Sequence, residues 1–252
     1  MMQIFSVLRA VLDGDNVGNW AITFVGEGSY VRRNSMVHAG NAAFAAGNDT
    51  AARALRFSGG GYNVAVDYNT IYASKNTTPN LSTCFELVSN ANQSAFVNNN
   101  ICVVEQTYNA TPLLGRNSPG AGQNPILHAF KNNALKLGDN EGTAVIVNVP
   151  DGACGGTWSR TYGLANYEAC LNADAPGTAE GNIQFFSAAE IFSSWDEHGW
   201  IGFEAVDWSL RDSAPTNVRE GAIDLGDDQP SVDILGHPRT APFSIGAFEI
   251  DL

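Results

Sequence analysis

The sequence predicts an all-β protein whose chain winds into a solenoid, with the short strands of successive turns stacked in parallel. The first reason is a repeated pattern: a hydrophobic residue, two residues, an asparagine, one residue and a second hydrophobic residue recur four times. The asparagines are separated by 35, 30 and 34 residues, and such a period is typical of repeat architectures. The second reason is composition. Charged residues make up only 15% of the 252 residues, and the asparagine, serine, threonine and glycine that replace them favour turns.

The clearest copy of the repeated unit runs from Val64 to Ala73. Apolar and polar residues alternate, Asn69 interrupts them, and a second apolar run follows, which predicts a strand, a tight bend and another strand. A further strand-like run precedes each unit. Each turn is therefore predicted to contain a strand, a turn, a strand, an asparagine bend, a strand and then a longer loop. The bend asparagines are Asn34, Asn69, Asn99 and Asn133.

These asparagines have a physical role in such a solenoid. Turns stacked about 4.8 Å apart pair their backbone groups and close a common core. Asparagine tolerates the left-handed backbone conformation of a tight bend. Its side-chain amide can also bond to the asparagines above and below, as in a ladder. The four residues are therefore predicted to be structural.

The first strand of each turn is predicted at 21–24, 54–57 and 84–87. If the hydrophobic residues of these runs point inward, period-two alternation puts Thr23, Arg56 and Glu86 outward and next to each other on successive turns. Arg56 and Glu86 would then be neighbours. One interpretation is an exposed ion pair of little energetic value, and the other is an acid–base or sugar-binding pair in a cleft.

The whole chain is predicted to form one domain. Residues 1–19 are read as an N-terminal cap or partial turn, 20–150 as regular turns, 151–181 as an excursion that contains cysteines, and 182–252 as the last turns and a cap. Within these, 112–125 reads as a flexible loop, and 164–171 as a short helix. Ser187 and Glu190 have the spacing of a capping box.

The repeated units resemble those of right-handed parallel β-helix proteins, the superfamily that includes the pectate lyases. The C-terminal part is similar to the closing segment of many secreted bacterial β-helix proteins. The resemblance there lies in Asp207–Leu210, Ser213–Pro215, Ala222–Gly226, Asp233–Arg239 and Ile245–Glu249. It implies that this part forms the last turn and a cap over exposed strand edges. Within such a cap, Arg239 can pair with Asp233 or Glu249 and so compensate a buried charge.

This resemblance implies an exported, carbohydrate-active protein, a relative of polysaccharide lyases or hydrolases that acts on or binds an extracellular glycan. The candidate catalytic residues are Arg56, Glu86 and His38. The candidate substrate-binding residues are Thr23, Arg33, Tyr72, Trp158 and Tyr162. The alternative is a non-catalytic adhesin, surface component or phage-tail-type module that binds a glycan, and the sequence leaves open whether the protein is an enzyme.

Other classes of partner are disfavoured. The net charge of −13 disfavours nucleic acid, which requires a basic surface, and no stretch reaches the roughly 20 apolar residues of a membrane span. No Cys or His spacing predicts a metal site. No cofactor is expected, although the resemblance leaves calcium open. The expected location is extracellular or at the cell surface, without a signal peptide in the first residues.

Four cysteines allow three pairings. Cys154 and Cys170 lie in one excursion, where a local disulfide would close the loop. Cys84 and Cys102 fall on two strands of one predicted turn, either as a disulfide or as buried thiols.

Overall fold

A computed structural model describes the strand-rich body of the chain and most of its C-terminal part. The described residues are 2–4, 10–12, 19–26, 35–40, 43–46, 52–59, 62–73, 82–89, 94–104, 110–117, 126–136, 164–174, 176–193 and 209–250.

Short β-strands account for most of these residues, and the few helices are short. The strands are β1 (Met2–Ile4), β2 (Ala10–Leu12), β3 (Asn19–Gly26), β4 (Ser35–Gly40), β5 (Ala43–Ala46), β6 (Ala52–Gly59), β7 (Tyr62–Asp67), β8 (Thr70–Ala73), β9 (Ser82–Ser89), β10 (Ser94–Asn98), β11 (Ile101–Val104), β12 (Ala110–Asn117), β13 (Ile126–Lys131), β14 (Ala134–Lys136), β15 (Ala179–Glu180) and β16 (Ile183–Phe185). The helices are α1 (Leu164–Asp174), α2 (Thr216–Arg219) and two 3₁₀ helices, Ala188–Glu190 and Gly226–Asp228.

The strands form three sheets in which every pairing between neighbouring strands is parallel. Sheet A has the order β1-β4-β7-β10-β13-β15, sheet B has β16-β14-β11-β8-β5-β2, and sheet C has β12-β9-β6-β3. Successive strands from β1 to β14 enter sheets A, B and C in rotation. This confirms the all-β class and the predicted order of strand, turn, strand, bend and strand. The strand β12 corrects one detail, because residues 112–117 belong to sheet C and not to a flexible loop.

Aligned apolar residues form the core between the sheets. In sheet A the register places Val66, Val97, Phe130 and Ala179 side by side. In sheet B it aligns Ile71, Cys102 and Leu135. All seven are buried. Because side chains alternate between the two faces of a strand, this register gives sheets A and B one continuous apolar face each.

The corner between sheets A and B carries the predicted asparagine ladder, with one change of member. Asn69, Asn100 and Asn133 each donate from Nδ2 to Oδ1 of the next asparagine at 2.9 Å, and the last acceptor is Asn182. The predicted member Asn99 is wrong by one position, because the side chain that completes the ladder belongs to Asn100.

The left-handed residue of each corner is the one before the ladder asparagine, which corrects the predicted role of the asparagine itself. Tyr68, Asn99, Asn132 and Gly181 have φ values of 56°, 56°, 51° and 67°. A positive φ turns the chain sharply, so that the following asparagine amide can reach the neighbouring turns.

Asn34 lies outside the described residues, and its place in the chain does not match the corner. It immediately precedes β4, whereas Asn69 follows β7, the strand that lies alongside β4 in sheet A. A hydrophobe–asparagine pattern therefore marks two different junctions in this chain.

Helix α1 closes one end of the stack and confirms the predicted helix, which extends to Asp174. The Asn172 side chain makes two hydrogen bonds to the backbone of Ala179 at the edge of β15. Its Nδ2 donates to Ala179 O at 2.7 Å, and its Oδ1 accepts from Ala179 N at 2.9 Å. Glu168 Oε1 accepts from Asn182 Nδ2 at 2.8 Å, so that a carboxylate ends the ladder. Edge strands need such protection against pairing with other chains.

Residues 209–250, here called the strap, lie along the outer side of the A–B corner. Gly221 O accepts from Asn132, Ile223 O accepts from Asn99 and Tyr68, and Gly246 N donates to Asn99 O. The resemblance implied a cap over the end of the stack, but these contacts cross three successive turns from the side. The capping box of Ser187 and Glu190, before the strap, is confirmed on the 3₁₀ helix that starts at Ala188.

The strap is held by an apolar cluster on the outer face of sheet B. Ile101 and Val103 of sheet B pack in one buried cluster with Val218, Ile245 and Phe248 of the strap. Gly246 makes this approach feasible. Its φ is +94°, and a Cβ there would lie 2.7 Å from Ile101 Cδ1.

Candidate functional site

The row predicted on the first strands is aligned in sheet C. Thr23 of β3 is opposite Arg56 of β6, and Arg56 is opposite Glu86 of β9. Neighbouring strands lie about 4.8 Å apart, so the three residues form one line perpendicular to the strands. The next position in that line is Leu114 of β12.

A disulfide links strand β9, which carries Glu86, to sheet B. Cys84 of β9 is bonded to Cys102, which settles the open alternative for these two cysteines in favour of a disulfide. Cys102 lies on the interior row of sheet B, and alternation puts Cys84 and Glu86 on the same face of β9. Cys84 and Phe85 are both fully buried. Because these two adjacent residues are both buried, simple alternation does not hold at this point of β9, and the disulfide does not fix the face of Glu86. The outward orientation of Arg56 and Glu86 stays a prediction.

The other candidate residues fall on different sheets or outside the described residues. His38 lies in β4 of sheet A, opposite Ala65, and Tyr72 lies in β8 of sheet B, opposite Val103. Neither belongs to the strands that carry Arg56 and Glu86. Arg33, Trp158 and Tyr162, as well as Cys154, lie outside the described residues.

A buried polar cluster joins the strap to the corner. Arg239 Nη1 is 2.5 Å from Glu249 Oε1, and the two side chains are only 0% and 7% exposed. The Arg239 guanidinium also lies 4.4 Å from the ring centroid of Tyr68. The Tyr68 hydroxyl oxygen lies 2.8 Å from Gln229 Oε1 and 3.0 Å from Ile223 O, so that its one proton is shared between these two acceptors. Of the two predicted partners of Arg239, Glu249 makes the ion pair.

Asp233, the other predicted partner of Arg239, instead organises the backbone. Its Oδ1 accepts from the amides of Leu235 and His237 at 2.8 Å, and its Oδ2 accepts from Glu249 N at 3.0 Å. A buried carboxylate with several amide donors is well compensated. These bonds hold the chain near His237 against the end of the strap.

Burial controls the protonation of this cluster. It raises the pKa of Tyr68 to about 12. Burial lowers the pKa of Arg239, although the nearby negative charge of Glu249 raises it. Burial likewise raises the pKa of Glu249, although the nearby positive charge of Arg239 lowers it. Because the Arg239 side chain has no exposed surface, it cannot reach a substrate. The cluster is therefore a structural lock between strap and corner.

Sequence reasoning missed the corner residues that bind the strap. Tyr68, Asn99 and Asn132 have the left-handed conformation and point their side chains at the strap backbone. The signal was present in the dipeptides Asn99-Asn100 and Asn132-Asn133, where one asparagine enters the ladder and the other bonds the strap. Only the register distinguishes the two.

Within the described ranges, no group of three or more His, Cys, Asp or Glu side chains is placed to hold a metal ion. In the same part of the chain, no helix has the length and apolar character to cross a membrane.

Comparison of the chain with protein-family models, with curated proteins and with solved structures gives no match.

Proposed function

We propose that the protein is an exported right-handed parallel β-helix that binds an extended extracellular glycan across sheet C, as a relative of polysaccharide lyases or hydrolases. The observation that carries this proposal is the register of Thr23, Arg56 and Glu86 on three adjacent strands. These three residues occupy the same position on successive strands, so a polymer with repeated units can contact each of them in turn.

The neighbouring positions of Arg56 and Glu86 favour a cleaving activity over binding alone. A lyase removes the proton beside a uronic carboxylate, and a basic side chain can serve as the base. Burial in a groove and a nearby charge are the usual means of tuning such a group. In this proposal Arg56, in its neutral form, takes the proton beside the carboxylate. The bond from the neighbouring ring carbon to the leaving sugar oxygen breaks as the carbon–carbon double bond forms, and solvent water protonates the leaving oxygen. Glu86 orients the Arg56 guanidinium, and Thr23 binds sugar hydroxyls.

The disulfide supports the exported location. Structural disulfides form and persist mainly in oxidising compartments such as the periplasm and the extracellular space. Cys84 and Cys102 are both fully buried, as expected of a structural bond rather than a reactive one.

The test is incubation of the full chain with a panel of uronic and neutral polysaccharides, with and without a chelator. Retention is measured by affinity electrophoresis, and lyase products are measured by their ultraviolet absorbance. Cleavage supports the lyase interpretation, and retention without cleavage supports the alternative of a non-catalytic binding module. Absence of both overturns the proposal.

Arg53→Ala provides a matched control for Arg56→Ala. Both residues lie in β6, three positions apart, so alternation puts them on opposite faces of sheet C. Arg56→Ala should abolish cleavage or weaken retention, and Arg53→Ala should not. The reverse pattern would show that the glycan contacts the other face, and would remove Arg56 and Glu86 from the site.

A further inference from the structure

An aromatic pair lies on the outer side of sheet A. The rings of Phe96 in β10 and His128 in β13 are stacked, with centroids 5.2 Å apart and planes inclined by 20°. His128 is exposed and Phe96 is half-buried, so the pair forms part of the molecular surface. The pair is separate from the row on sheet C.

A break in register places His128 there. Ala95 pairs with Leu127, but Phe96 pairs with Ala129, and His128 is the extra residue between these two pairs. A β-bulge of this kind redirects one side chain and costs ladder hydrogen bonds, and bulges are frequent beside binding sites. Without the extra residue, the strand would follow the regular alternation of its neighbour.

Polar groups lie further along β13 and on the adjacent strand β15. Three residues after His128, or about 10 Å along the strand, Lys131 forms an ion pair with Glu180 of β15 at 3.6 Å, and these side chains are 28% and 73% exposed. Flat rings, with a partly exposed ammonium and an exposed carboxylate further along the sheet, suit an oligosaccharide, whose rings have an apolar face and a rim of hydroxyls.

We propose that the outer face of sheet A holds a sugar-binding subsite, in which a neutral pyranose ring stacks on the face of His128 that Phe96 does not cover, while Phe96 supports the His128 ring from the other face. The hydroxyls of this ring or the next one bond to Lys131 and Glu180. This inference rests on the proposed glycan binding and adds a second surface to it. The ligand at this subsite is neutral because the positive charge of Lys131 is already neutralised by Glu180.

The experiment uses the full chain and oligosaccharides of known composition. Cello-, manno- and xylo-oligosaccharides serve as neutral probes, and oligogalacturonate serves as the charged probe. Calorimetry measures Kd for the native chain and for His128→Ala, Phe96→Ala and His128→Tyr. His128→Ala is the main variant, because its exposed ring can be removed without a cavity. His128→Tyr keeps a ring and is the matched control.

A neutral probe should bind to the native chain and to His128→Tyr with similar Kd, and about tenfold more weakly to His128→Ala, as expected for the loss of one stacked ring. The nuclear magnetic resonance signals of the His128 ring should shift on titration. If neutral probes bind equally well to His128→Ala, the subsite is refuted, while the sheet C proposal stands or falls with Arg56→Ala. If only oligogalacturonate binds, the subsite is refuted as well. Absence of binding to every neutral probe refutes the subsite, and the sheet C proposal is then decided by the polysaccharide panel alone.

Discussion

Replacing Arg239 by methionine tests the lock between the strap and the corner. The Arg239 side chain is 0% exposed and pairs with a Glu249 side chain that is 7% exposed. Methionine keeps much of the volume and removes the positive charge. Glu249 then remains as a buried carboxylate that keeps its bonds to Ser244 N and loses its main partner.

The expected loss follows from the asymmetry of buried ion pairs. Removal of one partner of such a pair typically costs about 3–5 kcal/mol, because the other charge stays buried. The Arg239 bond to Gly246 O at 2.9 Å and the contact with the Tyr68 ring are lost as well. Replacing both partners, as Arg239→Met with Glu249→Gln, should cost less than Arg239→Met alone, because no uncompensated charge remains.

The assay is urea denaturation of the full chain at neutral pH, combined with limited proteolysis of the strap. Arg219→Met is the control, since Arg219 is a strap arginine whose Nε donates to Ala214 O without a buried acid. Arg239→Met should lower the free energy of unfolding by roughly 3–5 kcal/mol and expose residues 209–250 to protease. Arg219→Met should change it by about 1 kcal/mol. Equal effects of the two variants would refute the reasoning.

Three further predictions concern the corner and the disulfide. Burial raises the pKa of Tyr68 to about 12 from an ordinary value of 10.0, so its stabilising contribution is complete below pH 10 and is lost as the pH rises towards 12, by roughly 3 kcal/mol in total. Tyr68→Phe should remove this decline in urea titrations at successive alkaline pH values, and an identical decline in both proteins would contradict it. Asn100→Ala should lower the free energy of unfolding by about 2–4 kcal/mol, because it leaves buried amides of the ladder without partners. Asn99→Gly keeps the positive φ and should lower it by only about 1 kcal/mol. A calorimetric melting experiment in which Asn99→Gly is the more destabilising variant would be inconsistent with the register. Cys84→Ser with Cys102→Ser should cost about 3 kcal/mol for the lost cross-link, and a native-like stability of this double variant under oxidising conditions would show that the bond does not constrain the chain.

Much of the fold follows from local sequence patterns. Alternation around Val66 and the break at Asn69 are enough to place two strands and a bend, since a buried face and a tight corner each demand few residue types. The alignment of Thr23 with Arg56 and Glu86 could be predicted because each residue has the same position within its repeated unit. Such features depend on residues that are close in sequence.

What could not be predicted depends on the pairing of distant segments. Asn99 and Asn100 have the same side chain, and only the register decides which of them enters the ladder and which binds Ile223. The position of the strap likewise depends on contacts such as Thr70 with Ala247, which are 177 residues apart. The bulge at His128 has no turn residue to signal it. These choices come from packing, which a repeat pattern does not encode.

Through-space proton contacts between asparagine side chains test the stacked turns most directly. In a chain with labelled asparagine, the Nδ2 protons of Asn100 should show contacts with Asn69 and with Asn133, and those of Asn133 should show contacts with Asn182, in line with the 2.9 Å bonds of the ladder. The Nδ2 protons of Asn99 should instead contact Ile223. Asn100 contacts restricted to residues near it in sequence would contradict the parallel stacking of turns.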